Sequence, residues 1–451
     1  MKNTKKKIAL LLATALLLQP LTPSQGISAK VLPAEQTMTV LATEEPTTEE
    51  PTTKESTTEE STIEEPTTEE PTTEEPTTSP YVVSTLNPAK SKVVVFDPGH
   101  DSRHSGARKY GVKEEAVVLD IAKYSKKELD HYGNITVYMT RTSNRCTTGS
   151  DLDTCLISRN NLAKKLQANF LVSFHIDYDD NSNVNGSRIL PAYHSGYHNN
   201  VYKETHKLGK LVLGELGNLG LANRGFLQKA ASFSRYPNGS KTDFYSIVRN
   251  GVRQNIPSLI IEHGFVTNKS ECNKYFKTKK QRQKLGIADA NAIVSYYGLQ
   301  KNKFTGSFCK KGKSTYYING EGKKIAGWVK DNGKWYYMNP ADAKMMKGFV
   351  TIGKNTFYLD SSTGEMKTGW FTVKGKKYFA KGNGIVFHGK IFTILGSKYY
   401  FNSKGQLKKG WVTLKNKTYY FNKVSGAMVY GWQRINGKLY YFSKKTGKLK
   451  K

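Results

Sequence analysis

From residue 92 onward the chain alternates two kinds of apolar pattern. Short β-branched or aromatic runs at 92–96, 135–138, 170–174 and 258–261 read as buried strands. Between and after them lie segments with helical spacing. In 115–129, Val118, Ile121, Ala122 and Leu129 share one face, and 157–166, 201–216 and 281–297 continue the period. Strands alternating with helices predict an α/β domain over residues 90–298, a mostly parallel sheet flanked by helices. Functional residues are then expected at strand ends.

Past residue 313 the pattern changes. Gly-aromatic pairs recur at Gly327-Trp328, Gly348-Phe349, Gly369-Trp370, Gly410-Trp411 and Gly431-Trp432, with Gly389-Lys390 filling the remaining place at steps of 20 or 21. All five tryptophans of the chain lie here. Aromatic clusters such as Trp335-Tyr336-Tyr337 and Tyr419-Tyr420-Phe421 follow Gly-Lys or Asn-Lys turns. A twenty-residue period with turn chemistry and paired aromatics predicts a solenoid of β-hairpins over 313–451, each burying a face on the next. Residues 299–312 are expected to be a linker.

The N-terminal portion carries no such pattern. Lys2 and Lys5–Lys7 precede an apolar run from Ile8 to Leu18, and Ile27-Ser28-Ala29 offers a small-residue cleavage site, so residues 1–29 read as a signal peptide. No later apolar stretch is long enough to be a transmembrane segment. Residues 30–89 are expected to be a disordered linker, because 44–78 is seven tandem pentads of the Glu-Glu-Pro-Thr-Thr type with almost nothing apolar to bury. The expected product is secreted and soluble.

That acidic spacer masks the charge of the rest. Residues 43–80 hold 13 Glu against one Lys, yet the whole chain is +32. The folded parts are therefore strongly basic and suit a polyanion. For a secreted chain the polyanion to expect is a cell-wall polymer such as a teichoic acid, and not nucleic acid. Four cysteines, Cys146, Cys155, Cys272 and Cys309, show no zinc-knuckle spacing. Cys146–Cys155 is the preferred disulfide, leaving Cys272–Cys309 as a staple near the domain junction, with free thiols as the alternative.

Candidate chemistry sits at the predicted strand ends. Asp97-Pro98-Gly99-His100 stops the first strand and presents an imidazole. Glu114 opens a helix, His175 ends the third strand, and Glu262 ends the last. A catalytic zinc needs three protein ligands, an open position and a base, and these four side chains supply that set. His104 has helical spacing from His100 but falls in a loop, so it is not expected to share the ion. His194 and His198 read as groove or surface residues. His263 should point away from Glu262's face.

The segments D-P-G-H (97–100), K-E-E-A-V-V-L-D-I-A (113–122), V-Y-M-T-R (137–141), A-N-F-L-V-S-F-H (168–175), R-G (224–225) and I-E-H-G-F-V-T-N (261–268) together resemble the zinc-dependent N-acetylmuramoyl-L-alanine amidases. The resemblance implies Zn2+ held by His100, Glu114 and His175, with Glu262 as catalytic acid/base. It implies cleavage of the amide between N-acetylmuramic acid and L-alanine in peptidoglycan. Glu115 is the rival to Glu114. Arg249 either holds a substrate carboxylate or makes a surface ion pair, and Asp97 either orients His100 or caps the turn. The repeats resemble choline-binding wall repeats, which implies ligand contacts at Trp328, Trp370, Trp411 and Trp432 by cation–π attraction. Phe349 and Lys390 interrupt that series. Residue chemistry alone leaves open a zinc peptidase acting on the stem peptide, or a catalytically silent wall-binding protein.

Overall fold

The structure, a computed structural model, describes residues 80–450 apart from 147, 149 and 150. The expected signal peptide and the Glu-rich pentads lie outside the described residues.

Six strands form the central sheet: β1 (Lys92–Pro98), β2 (Ile135–Met139), β3 (Phe170–Asp177), β4 (Ser187–Leu190), β5 (Asn223–Phe226) and β6 (Ser258–Phe265). Their spatial order is β2-β1-β3-β6-β4-β5. The first four in that order are parallel, and β4 runs antiparallel to β6. Each predicted strand is present and extended by one to four residues.

Helices α1 (Glu114–Leu129), α3 (Asn199–Asn218) and α5 (Lys279–Tyr297) cover one face, while α2 (Leu152–Leu166) and α4 (Ser246–Gln254) cover the other. Strand alternation feeds both layers. Val94 and Phe96 of β1 enter the core under α1 and α5; Val93 and Val95 meet Ala163 and Leu166 of α2. Burial on both faces is why β1, β3 and β6 read as continuous apolar runs.

Seven two-stranded hairpins follow, the first Ser307–Lys311 with Ser314–Ile318 and the last Gly431–Ile435 with Lys438–Phe442. Five of their two-residue turns have positive φ at both positions, supplied by Asn332-Gly333, Lys374-Gly375, Leu395-Gly396, Lys415-Asn416 and Asn436-Gly437, while in Gly312-Lys313 and Gly353-Lys354 only the leading glycine has it. Successive units are tied by single backbone bonds of constant offset. Met345, Met366, Val386, Leu407, Met428 and Leu449 each donate to the carbonyl of a residue 30 or 31 positions earlier. Met366, Val386 and Met428 also bury their side chains in the stack, and Met345, Leu407 and Leu449 pack partly buried against it.

Both expected linkers are shortened. Val82–Val83 forms a strand pairing in parallel with Ile325–Ala326, and Ser307–Lys311 belongs to the first hairpin. The reason is a close junction between domain and array. Trp335 Nε1 donates to Thr136 Oγ1 of β2 at 3.0 Å, and Tyr138 Oη donates to the Gly382 carbonyl at 2.7 Å. The Lys330 ammonium, 3% exposed, donates to the Tyr132 carbonyl beyond α1 at 3.1 Å. The array thereby covers the outer strand β2, which would otherwise present an unpaired sheet edge.

The expected disulfides are not formed. Cys146 and Cys155 do approach, with Sγ atoms 3.9 Å apart, well beyond bonding distance. Cys272 is buried in the catalytic core, donating to the Val266 carbonyl at 3.1 Å, while Cys309 sits on the first hairpin.

Candidate active site

The parallel strands deliver their side chains to one edge. β1 runs into Asp97-Pro98-Gly99, after which His100 adopts a left-handed backbone with φ 59°. His175 stands near the end of β3 and pairs in register with Glu262 of β6. Glu114 is the first residue of α1. Its Oε1 lies 3.2 Å from His100 Nε2 and 3.1 Å from His175 Nδ1. Glu115 faces elsewhere, its carboxylate held by Arg108 at 2.6 Å.

Two glycines make this closeness possible. A Cβ at Gly99 would stand 2.2 Å from His175 Cε1, and one at Gly106 would stand 2.3 Å from Glu114 Oε2. Two arginines fix the loop from beneath. Arg141, 3% exposed, donates to the carbonyls of Pro98, Gly99 and Glu115. Arg159 donates to Asp97, to the Pro98 and His100 carbonyls and to Asp101. Asp97 also accepts from Thr140 and Ser173, so it anchors the turn and makes no hydrogen bond to His100.

The electrostatics follow from this packing. Burial works against the Glu114 carboxylate, but the charges and hydrogen bonds of His100 and His175 outweigh it and hold the group far below the usual carboxylate range. Burial likewise opposes the charged form of His100, yet Glu114 wins and the imidazole titrates above its ordinary value. His175 goes the other way, lowered by burial. Glu262 is raised well above its ordinary value by removal from water and by the neighbouring Asp177 and Glu114 carboxylates. Its Oε2 is buried without a hydrogen-bond partner.

The donor atoms of His100, Glu114 and His175 lie within 4.8 Å of one another. Two imidazoles and a carboxylate are a set used by catalytic zinc sites, and the glycine cradle keeps the space beside them clear, so these residues fit a divalent metal.

Residues 94–295 match the family model for N-acetylmuramoyl-L-alanine amidase. A Buchnera aphidicola protein carrying that amidase name is 30% identical over 251 residues, 49% of this chain and 97% of its own length. The chain belongs to the N-acetylmuramoyl-L-alanine amidase family. The amidase LytC of Bacillus subtilis is 28% identical over 214 residues, 47% of this chain, but the match spans only 36% of LytC. Residues 325–371, 388–430 and 408–451 match the choline-binding repeat, and 368–386 match a cell wall binding repeat. The solved structure of CbpJ from Streptococcus pneumoniae TIGR4 is 28% identical, covering 32% of this chain and 52% of CbpJ with a TM-score of 0.31.

Other expected site residues of this amidase-family chain lie apart from the cluster. Arg249 Nη1 donates to the carbonyls of Asp243 and Phe244, at 3.0 and 2.6 Å, and its guanidinium lies over Phe233. It holds the Ala230–Arg235/Lys241–Asp243 hairpin onto α4. His263 is fully buried between the His175 carbonyl and Asp289. Trp328 is 3% exposed, wedged among Trp335, Tyr337 and Phe357, so it is core and not a ligand contact. Trp411 and Trp432 are 41% and 54% exposed. Trp411 meets Tyr420 and Tyr440 edge-on. Trp370 already carries the Lys377 ammonium 4.8 Å from its ring.

Sequence reasoning missed the Arg188–Asp177 ion pair beside Glu262. Asp177 lies two residues past His175, and its pairing becomes visible only once antiparallel β4 is known.

Proposed function

We propose that the protein is a secreted N-acetylmuramoyl-L-alanine amidase that cleaves peptidoglycan between N-acetylmuramic acid and L-alanine, with Zn2+ held by His100, Glu114 and His175. The observation carrying this reading is the convergence of that donor set with the buried, unpartnered Glu262 carboxyl on the edge where four parallel strands end. When bound, zinc supplies a Lewis acid for the lactyl carbonyl and an acidified water. Glu114 orients both imidazoles through its Oε1. Glu262 Oε2, buried and unpartnered, takes the proton of the attacking water and passes it to the L-alanine nitrogen as the C–N bond breaks. The carboxylates of Asp177 and Glu114 favour Glu262 holding that proton between the two transfers, while Arg188 limits the repulsion through Asp177.

The hairpin array keeps the enzyme at the wall by binding choline-bearing polymers, with Trp411 and Trp432 as the accessible aromatic faces. The basic surface adds attraction to anionic teichoic acid. Among the described residues no helix is long and apolar enough to cross a membrane.

Digestion of purified peptidoglycan by the full-length protein tests the reading. The expected products carry new L-alanine amino termini, lost with a chelator and restored by Zn2+. New reducing ends, or D-amino-acid termini without L-alanine, would overturn the amidase assignment. Choline should elute the protein from choline-bearing walls; retention in saturating choline would overturn that ligand.

A further inference from the structure

A second cluster lies one residue beyond His100. The ligand atoms of Asp101, His104, Cys146 and Cys155 all fall within 4.8 Å of one another. They come from three segments: the loop after β1, the loop after β2, and the first turn of α2. Asp101 is fully buried and Cys155 is 1% exposed.

We propose that Asp101, His104, Cys146 and Cys155 form a second, structural site for a borderline-soft divalent cation, Zn2+ by donor chemistry. The distances carry this. Two sulfurs at about 2.3 Å from one tetrahedral zinc stand about 3.8 Å apart; Cys146 Sγ and Cys155 Sγ are 3.9 Å apart. A sulfur and a carboxylate oxygen on such an ion stand about 3.6 Å apart; Cys155 Sγ to Asp101 Oδ2 is 3.7 Å. For an imidazole nitrogen and a carboxylate oxygen the separation is about 3.4 Å; His104 Nδ1 lies 3.3 Å from Asp101 Oδ1 and 3.5 Å from Oδ2. Three edges of one tetrahedron thus have the lengths a zinc ion imposes.

Charge balance agrees. Arg141 and Arg159 already offset Asp97 and Asp101 in this buried pocket. A zinc ion with two thiolates is neutral and leaves that balance undisturbed. A carboxylate, an imidazole and two sulfurs suit zinc better than calcium or magnesium, which prefer all-oxygen shells. The ion would cross-link the loop that presents His100 to α2 and hold the left-handed turn at His100 in place. It does not depend on the amidase reading, since none of the four residues belongs to the His100–Glu114–His175 set.

Elemental analysis of full-length protein, with matched variants, separates the two sites. The wild type should carry two zinc equivalents. His175→Ala should lose one, and Cys146→Ser should lose the other. Cys146 is half-buried on a loop, so its variant should keep the wild-type circular dichroism; His104→Ala provides a second route to the same loss. With Co2+ in place of zinc, a sulfur-to-cobalt charge-transfer band should survive His175→Ala and vanish in Cys146→Ser. Unchanged metal content in both Cys146→Ser and His104→Ala would overturn the proposal. So would an intact mass lower by two hydrogens, which marks a Cys146–Cys155 disulfide.

Discussion

The catalytic domain and the hairpin array organise aromatic and polar residues in opposite ways. In the domain, the candidate site gathers residues from positions 100, 114, 175 and 262, so it exists only when the whole sheet is assembled. In the array, each turn, aromatic pair and ladder bond recurs about every 20 residues and touches mainly its neighbours. One region concentrates its chemistry at a single edge; the other distributes a modest contact many times. A substitution should therefore be decisive or nearly silent according to which region it strikes.

Glu262→Gln gives the sharpest test of that contrast. Turnover should fall by about 10²–10⁴-fold in a peptidoglycan assay while metal content stays at the wild-type level. A variant that kept activity would show that the site does not depend on its one unpartnered carboxylate.

Lys330 belongs to the array but is buried against the domain, so it should behave like a core residue. Burial pulls its ammonium from 10.5 down to about 8, with Asp130 only partly opposing. Below pH 8 the lysine is charged in both folded and unfolded chains, and burying that charge costs stability. As pH rises from about 8 toward 10.5 the unfolded chain keeps the proton that the folded chain has lost, so stability rises. The gain should approach about 3 kcal/mol in denaturant titrations, and Lys330→Met should flatten the slope between pH 8 and 10.

At the same junction Trp335→Phe removes the indole N–H bond to Thr136, whose buried hydroxyl keeps Ser91 Oγ at 3.1 Å. The expected loss is about 1 kcal/mol, read as a lower unfolding midpoint. The smallest effect belongs to a distal turn. Leu395 sits at φ 49° in a turn position that favours glycine or asparagine. Leu395→Gly should raise stability by up to about 1 kcal/mol without altering catalysis.

Much of this contrast is legible in the residues. The strands of the parallel core announce themselves because they are buried on both faces; His100, His175 and Glu262 fall toward their ends, and Glu114 opens the helix after the first. The hairpin period is visible in the Gly-aromatic spacing. What escapes is whatever depends on how distant segments meet. Strands β4 and β5 have only four residues each, and β5 is largely exposed, so Arg188's approach to Asp177 leaves no local signal. Trp328 has the same neighbours in sequence as Trp411, yet one is 3% exposed among Trp335, Tyr337 and Phe357 and the other is 41% exposed. His104 and the Cys146–Cys155 pair are 42 and 51 residues apart along the chain, and no spacing rule joins them before the fold does.

The cover over β2 bears on how such chains can be recombined. Thr136 and Tyr138 are satisfied by Trp335 and Gly382, and Val82–Val83 reaches back to the second hairpin. A transplant that fuses another targeting array at residue 299 would bare the outer edge of the sheet and remove the bonds that Trp335 and Gly382 make to Thr136 and Tyr138. The transferable unit therefore runs from residue 82 through the fourth hairpin, ending near residue 386; only the last three hairpins are free to be exchanged.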